Sequence, residues 1–230
     1  MRDARQVGAL RLALAGTAVL AGAVLAVPAD AASKVRPVCH LVTDDRGDAG
    51  TTAIPHVPGG DTDDILSADV ASDGRTVTAV LRMADVQDPD PVAPTGRGYT
   101  LSFQLRGAPT TYFLDVRTYA TGTRYQFGSY AVDGTGQSYV RVLGDGTGRV
   151  STTAHEVRVS APAAAFRPQQ VRRGATLVSL TARAYRWWGQ GLVDDQDVGP
   201  VHVPLYGTGS AFDEAFGDRY VVGTPSCVKP

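Results

Sequence analysis

The strongest constraint on this chain is a period-two alternation of apolar and polar residues, repeatedly cut by Gly, Pro and Asp. Tyr99, Leu101, Phe103 and Leu105 alternate with Thr100, Ser102, Gln104 and Arg106. Successive side chains of a β-strand point to opposite faces, so this pattern presents one face to a core and one to solvent. Val77, Ala79, Leu81 and Met83 repeat it against Thr76, Thr78 and Arg82. No long stretch carries the three-to-four-residue period of an amphipathic helix.

The breaks between the alternating runs are turn chemistry. Ser72-Asp73-Gly74-Arg75 separates runs over 64–72 and 76–84, a hairpin signal. Gly107-Ala108-Pro109 turns the run at 99–106 into 110–119, with Tyr112, Leu114 and Val116 facing inward. The tetrapeptide Asp-Gly-Thr-Gly occurs at 133–136 and again at 145–148, around a strand over 138–143. Both copies read as hairpin turns. Further strands fall at 155–160 and 177–188, and 161–166 has room for one helical turn. On the last strand Val178, Leu180, Ala182 and Ala184 form the apolar face, with Trp188 on the same side. About nine strands at this spacing predict an all-β fold, an antiparallel β-sandwich of jelly-roll or immunoglobulin-like type.

The first thirty-one residues obey a different rule. A basic stretch, an apolar run over 12–28 and Ala29-Asp30-Ala31 follow in the order of a secretory signal peptide. Cleavage after Ala31 leaves 32–230 as a single domain, secreted and without a transmembrane segment. Export changes the reading of Cys39 and Cys227, the only two cysteines. Outside the cytoplasm they are expected to form a disulfide. Closing so long a loop stabilises by about 5 kcal/mol in the chain-entropy account.

Charge argues against two partner classes. Twenty-two Lys and Arg face 23 Asp and Glu, a net charge of −1. Nothing in that balance draws nucleic acid or an anionic membrane. The acids are nearly all Asp; Glu156 and Glu214 are the only glutamates. Asp favours turns and helix-free backbone, so polar residues concentrate in loops.

One region has a family flavour. Leu41-Val42-Thr43-Asp44 leads into Asp45-Arg46-Gly47-Asp48, and after a loop comes Asp64-Ile65-Leu66-Ser67-Ala68-Asp69-Val70 with its hairpin. The stretch resembles the opening of DOMON-like and family-nine carbohydrate-binding-module-like β-sandwiches, where Asp-x-x-Gly-Asp ends a strand and an Asp-Ile strand follows. The run over 157–162, then Phe166 and 177–188, and the closing 220–228 with Cys227, are similar to that group and to secreted actinobacterial members without an assigned activity. The resemblance implies calcium at Asp44, Asp48 and Asp64, with Gly47 for the bend and Asp61 and Asp63 close by. Calcium takes six to eight oxygens, several from loop carboxylates. The same aspartates also suit turn formation and strand capping, and both readings stand at this point.

A ligand surface is expected at Arg183, Tyr185 and Trp187, which strict alternation puts on the face away from the core. Flat aromatic rings beside a polar group suit a sugar, while a covering loop or second sheet would remove that use. Other motifs carry less. The four histidines lack metal-ligand spacing. Met83 belongs to an apolar face, which fits core packing better than haem ligation. Arg46-Gly47-Asp48 matches an adhesion tripeptide by chance. No Gly-x-Ser-x-Gly elbow, His-Glu-x-x-His or phosphate loop is present. The expected function is a non-catalytic module that binds carbohydrate or another extracellular surface ligand, with calcium as its stabilising ion. The partner is then an extracellular glycan or cell-envelope component. A structural envelope protein and a secreted hydrolase on a sandwich scaffold are the alternatives.

Overall fold

The computed structural model describes residues 36–50, 60–88, 97–119, 122–132, 138–166, 171–187 and 209–230. The expected secretion signal and Trp188 lie outside them. Among the described residues the fold is all-β and antiparallel, with twelve strands rather than about nine. No described helix is long and apolar enough to cross a membrane.

The strands are β1 (Val42–Thr43), β2 (Ile65–Ser72), β3 (Thr76–Met83), β4 (Arg97–Leu105), β5 (Thr111–Tyr119) and β6 (Gly122–Val132). Then come β7 (Ser138–Asp145), β8 (Thr147–Ser151), β9 (Glu156–Pro162), β10 (Thr176–Trp187), β11 (Gly209–Gly217) and β12 (Tyr220–Val221). A 3-10 turn at Ala163–Ala165 takes the place of the expected helical turn.

One sheet holds them in the order β7-β6-β5-β4-β10-β11-β1-β2-β3-β9-β8, with β12 added to β10. The order wraps back on itself, so the architecture is barrel-like. β9 lies against β5 and β6 on the inside. One hydrophobic core fills the space, drawing Val157 and Val159 from one half of the order and Tyr112, Leu114 and Phe127 from the other. Phe166, fully buried after the 3-10 turn, puts its ring edge against Tyr112 and Phe103 at centroid distances of 5.4 and 5.6 Å.

Alternation identified the core face of β3 and β4, but the opposite face is not open to solvent throughout: Thr78, Val80 and Thr100 on it are buried too. Val77, Ala79, Leu81 and Met83 are all buried, as are Tyr99, Leu101, Phe103 and Leu105. Ser72-Asp73-Gly74-Arg75 makes the hairpin between β2 and β3. β10 departs from strict alternation. A bulge between Val178 and Thr181, with Ser179 at φ 53°, puts Leu177 in the core and turns Val178 partly outward. An extra bulged residue shifts every following side chain by one position, which a period-two count cannot anticipate.

The second Asp-Gly-Thr-Gly also corrects an expectation. It is not a hairpin turn. Asp145 ends β7 at one extreme of the strand order and Thr147 begins β8 at the other. Gly146 between them donates its N–H to the Tyr125 carbonyl on β6 at 2.8 Å. The first copy lies outside the described residues, but β6 and β7, which it joins, pair as antiparallel neighbours.

Cys39 and Cys227 are disulfide-bonded, with Cα atoms 5.3 Å apart. Flanking them, Val38 and Ser226 form a short parallel bridge, and Val38 donates to the Pro225 carbonyl at 2.9 Å. The same seam brings β1 against β11, and this pairing creates the site described next.

Candidate metal centre

β1 ends at Thr43, and Asp44 stays in line with β2 by donating its N–H to the Leu66 carbonyl at 3.2 Å. The chain then turns through Asp45, Arg46 and Gly47. Gly47 has φ +85°, a left-handed backbone in which glycine is favoured. Its N–H donates to Asp64 Oδ2 at 2.9 Å, which pins the turn to the start of β2 and sets the position of Asp48.

β11 supplies the third carboxylate. Asp213 stands opposite Ala184 and accepts the Ile65 N–H at its Oδ2 at 2.6 Å. Carboxylate oxygens of Asp44, Asp48 and Asp213 all lie within 4.8 Å of one another. Two oxygens on opposite sides of one calcium ion are about 5 Å apart, given the 2.3–2.6 Å bonds that the ion makes. The spread therefore fits a single ion.

Electrostatics mark the same spot. Burial, reinforced by the charges of Asp44 and Asp48, pushes Asp213 up to about 7, against the lowering effect of the Ile65 N–H. Burial is also the main reason that Asp44 is raised, with the Asp48 charge adding to it and a hydrogen bond to Asp213 opposing it. Asp64 is raised by burial and by the charges of Asp48 and Asp61, and lowered by the Gly47 N–H. Asp64 is 1% exposed, yet its Oδ1 has no hydrogen-bond partner, and neither has the buried Oδ2 of Asp44. Buried acceptors without a donor are costly, and a cation would satisfy them.

Of the three metal ligands expected from the sequence, Asp44 and Asp48 come together. Asp64 stands behind them as the acceptor that fixes the Gly47 turn, and Asp213 completes the triad. Asp213 escaped the sequence reading because β11 reaches this place only through long-range pairing. Its signal was an Asp at an inward position of an alternating run, two residues before buried Ala215.

The neighbouring aspartates serve otherwise. Asp63, fully buried, accepts Arg97 Nε at 3.2 Å and Arg186 Nε at 3.1 Å, with a further ion pair to the Arg186 guanidinium. It is neutralised by arginine and is no cation ligand. The Asp61 carbonyl accepts the N–H groups of Asp64 and Asp85.

The expected sugar surface is also engaged. The Tyr185 hydroxyl donates to Asp115 Oδ1 at 2.6 Å, and its ring lies over Gly98. Asp115 is 2% exposed and also accepts from Thr100 Oγ1 at 2.7 Å, Arg117 Nε at 2.9 Å and Gln126 Nε2 at 2.7 Å. Burial, followed by the Asp115 charge, holds the Tyr185 hydroxyl well above its ordinary range. Arg183 is paired with Glu214 across β10 and β11. The side chain of Trp187 lies outside the described residues.

No protein-family model matches this chain, and no curated protein or solved structure matches it either.

Proposed function

We propose that the chain is a secreted, non-catalytic module that holds calcium at Asp44, Asp48 and Asp213 and binds a glycan or another extracellular surface component. The observation that carries this reading is the carboxylate triad, in which the buried Asp44 Oδ2 has no hydrogen-bond partner. Asp64 supports the turn, and water completes the six to eight oxygens that calcium requires. The ion serves structure here. It neutralises the carboxylates where β1, β2 and β11 meet. Millimolar calcium outside cells suffices for weak extracellular sites of this kind. The sandwich layering and the DOMON-like resemblance belong to the same reading.

The engagement of Tyr185 by Asp115 favours a second reading, a structural envelope protein whose polar sheet face is occupied by its own hydrogen bonds. Thermal melts in calcium and in chelator, together with a glycan array, test both. Calcium-dependent melting with glycan binding supports the module. Calcium-dependent melting without any glycan leaves the structural protein. Coincident melts remove the metal site.

A further inference from the structure

A second region brings together charges that repel. On the outward faces of β3, β9 and β8, the registers align Val80 with Arg158 and Arg158 with Arg149. Two arginines thus occupy directly paired positions on an antiparallel pair, an arrangement that costs stability unless a counter-charge joins them. The next row is hydroxylic. Thr78 Oγ1 and Ser160 Oγ are 2.7 Å apart, and Ser160 pairs with Thr147. The Cys227–Lys229 segment, held by the disulfide, walls the face and leaves a cleft of 710 Å³.

Four cations line this cleft: Arg82, Arg149, Arg158 and Lys229, against the single carboxylate of Glu156. Glu156 does not satisfy them. It lies 3.9 Å from Arg149 and 4.0 Å from Arg82, beyond hydrogen-bond length. Arg82 is already fixed from below by fully buried Asp69 at 2.7 Å. Arg158 donates to the Lys229 carbonyl, which orients its guanidinium along the cleft. The Arg149 side chain is 69% exposed. In a chain of net charge −1, this is a local excess of positive charge beside a row of hydroxyls.

We infer that this cleft binds an acidic glycan, its carboxylate or phosphate groups bridging Arg149 and Arg158 while sugar hydroxyls meet Ser160 and Thr147, which line the cleft above buried Thr78. Guanidinium forks match such oxyanions with two parallel hydrogen bonds. The inference rests on the glycan-binding reading and moves its ligand from Tyr185 to the opposite part of the sheet order.

The test is calorimetric titration of the full chain in calcium-free buffer, so that the aspartate site cannot bridge to the ligand. The probes are a short oligogalacturonate, its neutral methyl ester and a phosphorylated oligomannoside. The expected result is binding of an acidic probe and not of the ester. Affinity should fall with added salt, and at least about tenfold in Arg149→Gln and in the Arg149→Gln/Arg158→Gln pair. The acidic probe that binds assigns the group as carboxylate or phosphate. Arg149→Gln alters an exposed side chain, so loss of fold does not confound it. A second arginine-lined cleft, with Arg106, Arg172 and Arg173, supplies the control. Arg106→Gln/Arg172→Gln should bind as the native chain does. Equal loss in both double variants, or no loss in Arg149→Gln, overturns the inference. Binding of the ester alone keeps glycan recognition and removes this site, while binding of no glycan in the titration or on the array removes both.

Discussion

Gly98 lies directly beneath the ring of Tyr185, paired with it across β4 and β10, and a methyl group added to Gly98 would fall inside that ring. The glycine is needed for space, since its backbone is ordinary strand. Gly98→Ala is expected to lower stability by about 1–3 kcal/mol through overpacking, read by urea denaturation. Tyr185→Phe keeps the ring and costs about 1 kcal/mol, because Asp115 loses one of its donors. Equal stability of Gly98→Ala and the native chain would show that the ring moves aside freely.

Asp115 is a hub on which four side chains converge: Thr100, Arg117, Gln126 and Tyr185. Asp115→Ala removes the shared acceptor of the four donors, and with it the carboxylate paired with Arg117. A loss of about 3–5 kcal/mol is expected, the range for breaking a buried pair from one side. Asp115→Asn should lose less, since it retains an acceptor oxygen.

The aspartate triad predicts opposite pH responses with and without calcium. Asp213 titrates at about 7 in the folded chain, against 3.8 ordinarily. A carboxyl that holds its proton more tightly when folded contributes stability at low pH and loses it as pH rises through that window. In chelator, melting temperature should therefore decline between about pH 4 and pH 7 and level off above. Asp213→Asn should flatten the slope. Calcium binds the ionised carboxylates, so its stabilisation should grow over the same window and vanish in Asp213→Asn. Calcium stabilisation undiminished in that variant would place the ion elsewhere.

The disulfide spans 188 residues of sequence. Replacing both cysteines by Ala is expected to cost about 2–5 kcal/mol, measured as a shift in denaturation midpoint. The double variant should also weaken calcium binding, because Cys39 lies just before β1, which leads into Asp44.

The strands legible in the sequence were β2 to β5, β7, β9 and most of β10. Their faces follow from backbone geometry alone, and Met83 packs in the core as its neighbours dictate. β6, β8 and β11 carried weaker patterns. Gly128 and Gly148 interrupt two of them, at places where a side chain would strike a neighbouring ring. The carboxylate triad was partly legible for a similar reason. Asp44 and Asp48 share a turn, and turn chemistry is local. Asp213 joins them only when β11 pairs with β1, an event of long-range packing. The bond from Tyr185 to Asp115 was not legible, because the outward strand position of Asp115 gave no sign that four donors would converge on it.

Gly146 deserves a last consequence. The outermost strands of the sheet, β7 and β8, are consecutive in sequence and meet at this residue, tethered to Tyr125. Open strand edges are templates on which other chains can add. Here the two edge strands are joined covalently through Gly146 and packed with β5, β6 and β9 on a shared core, so neither edge is left open to a passing chain.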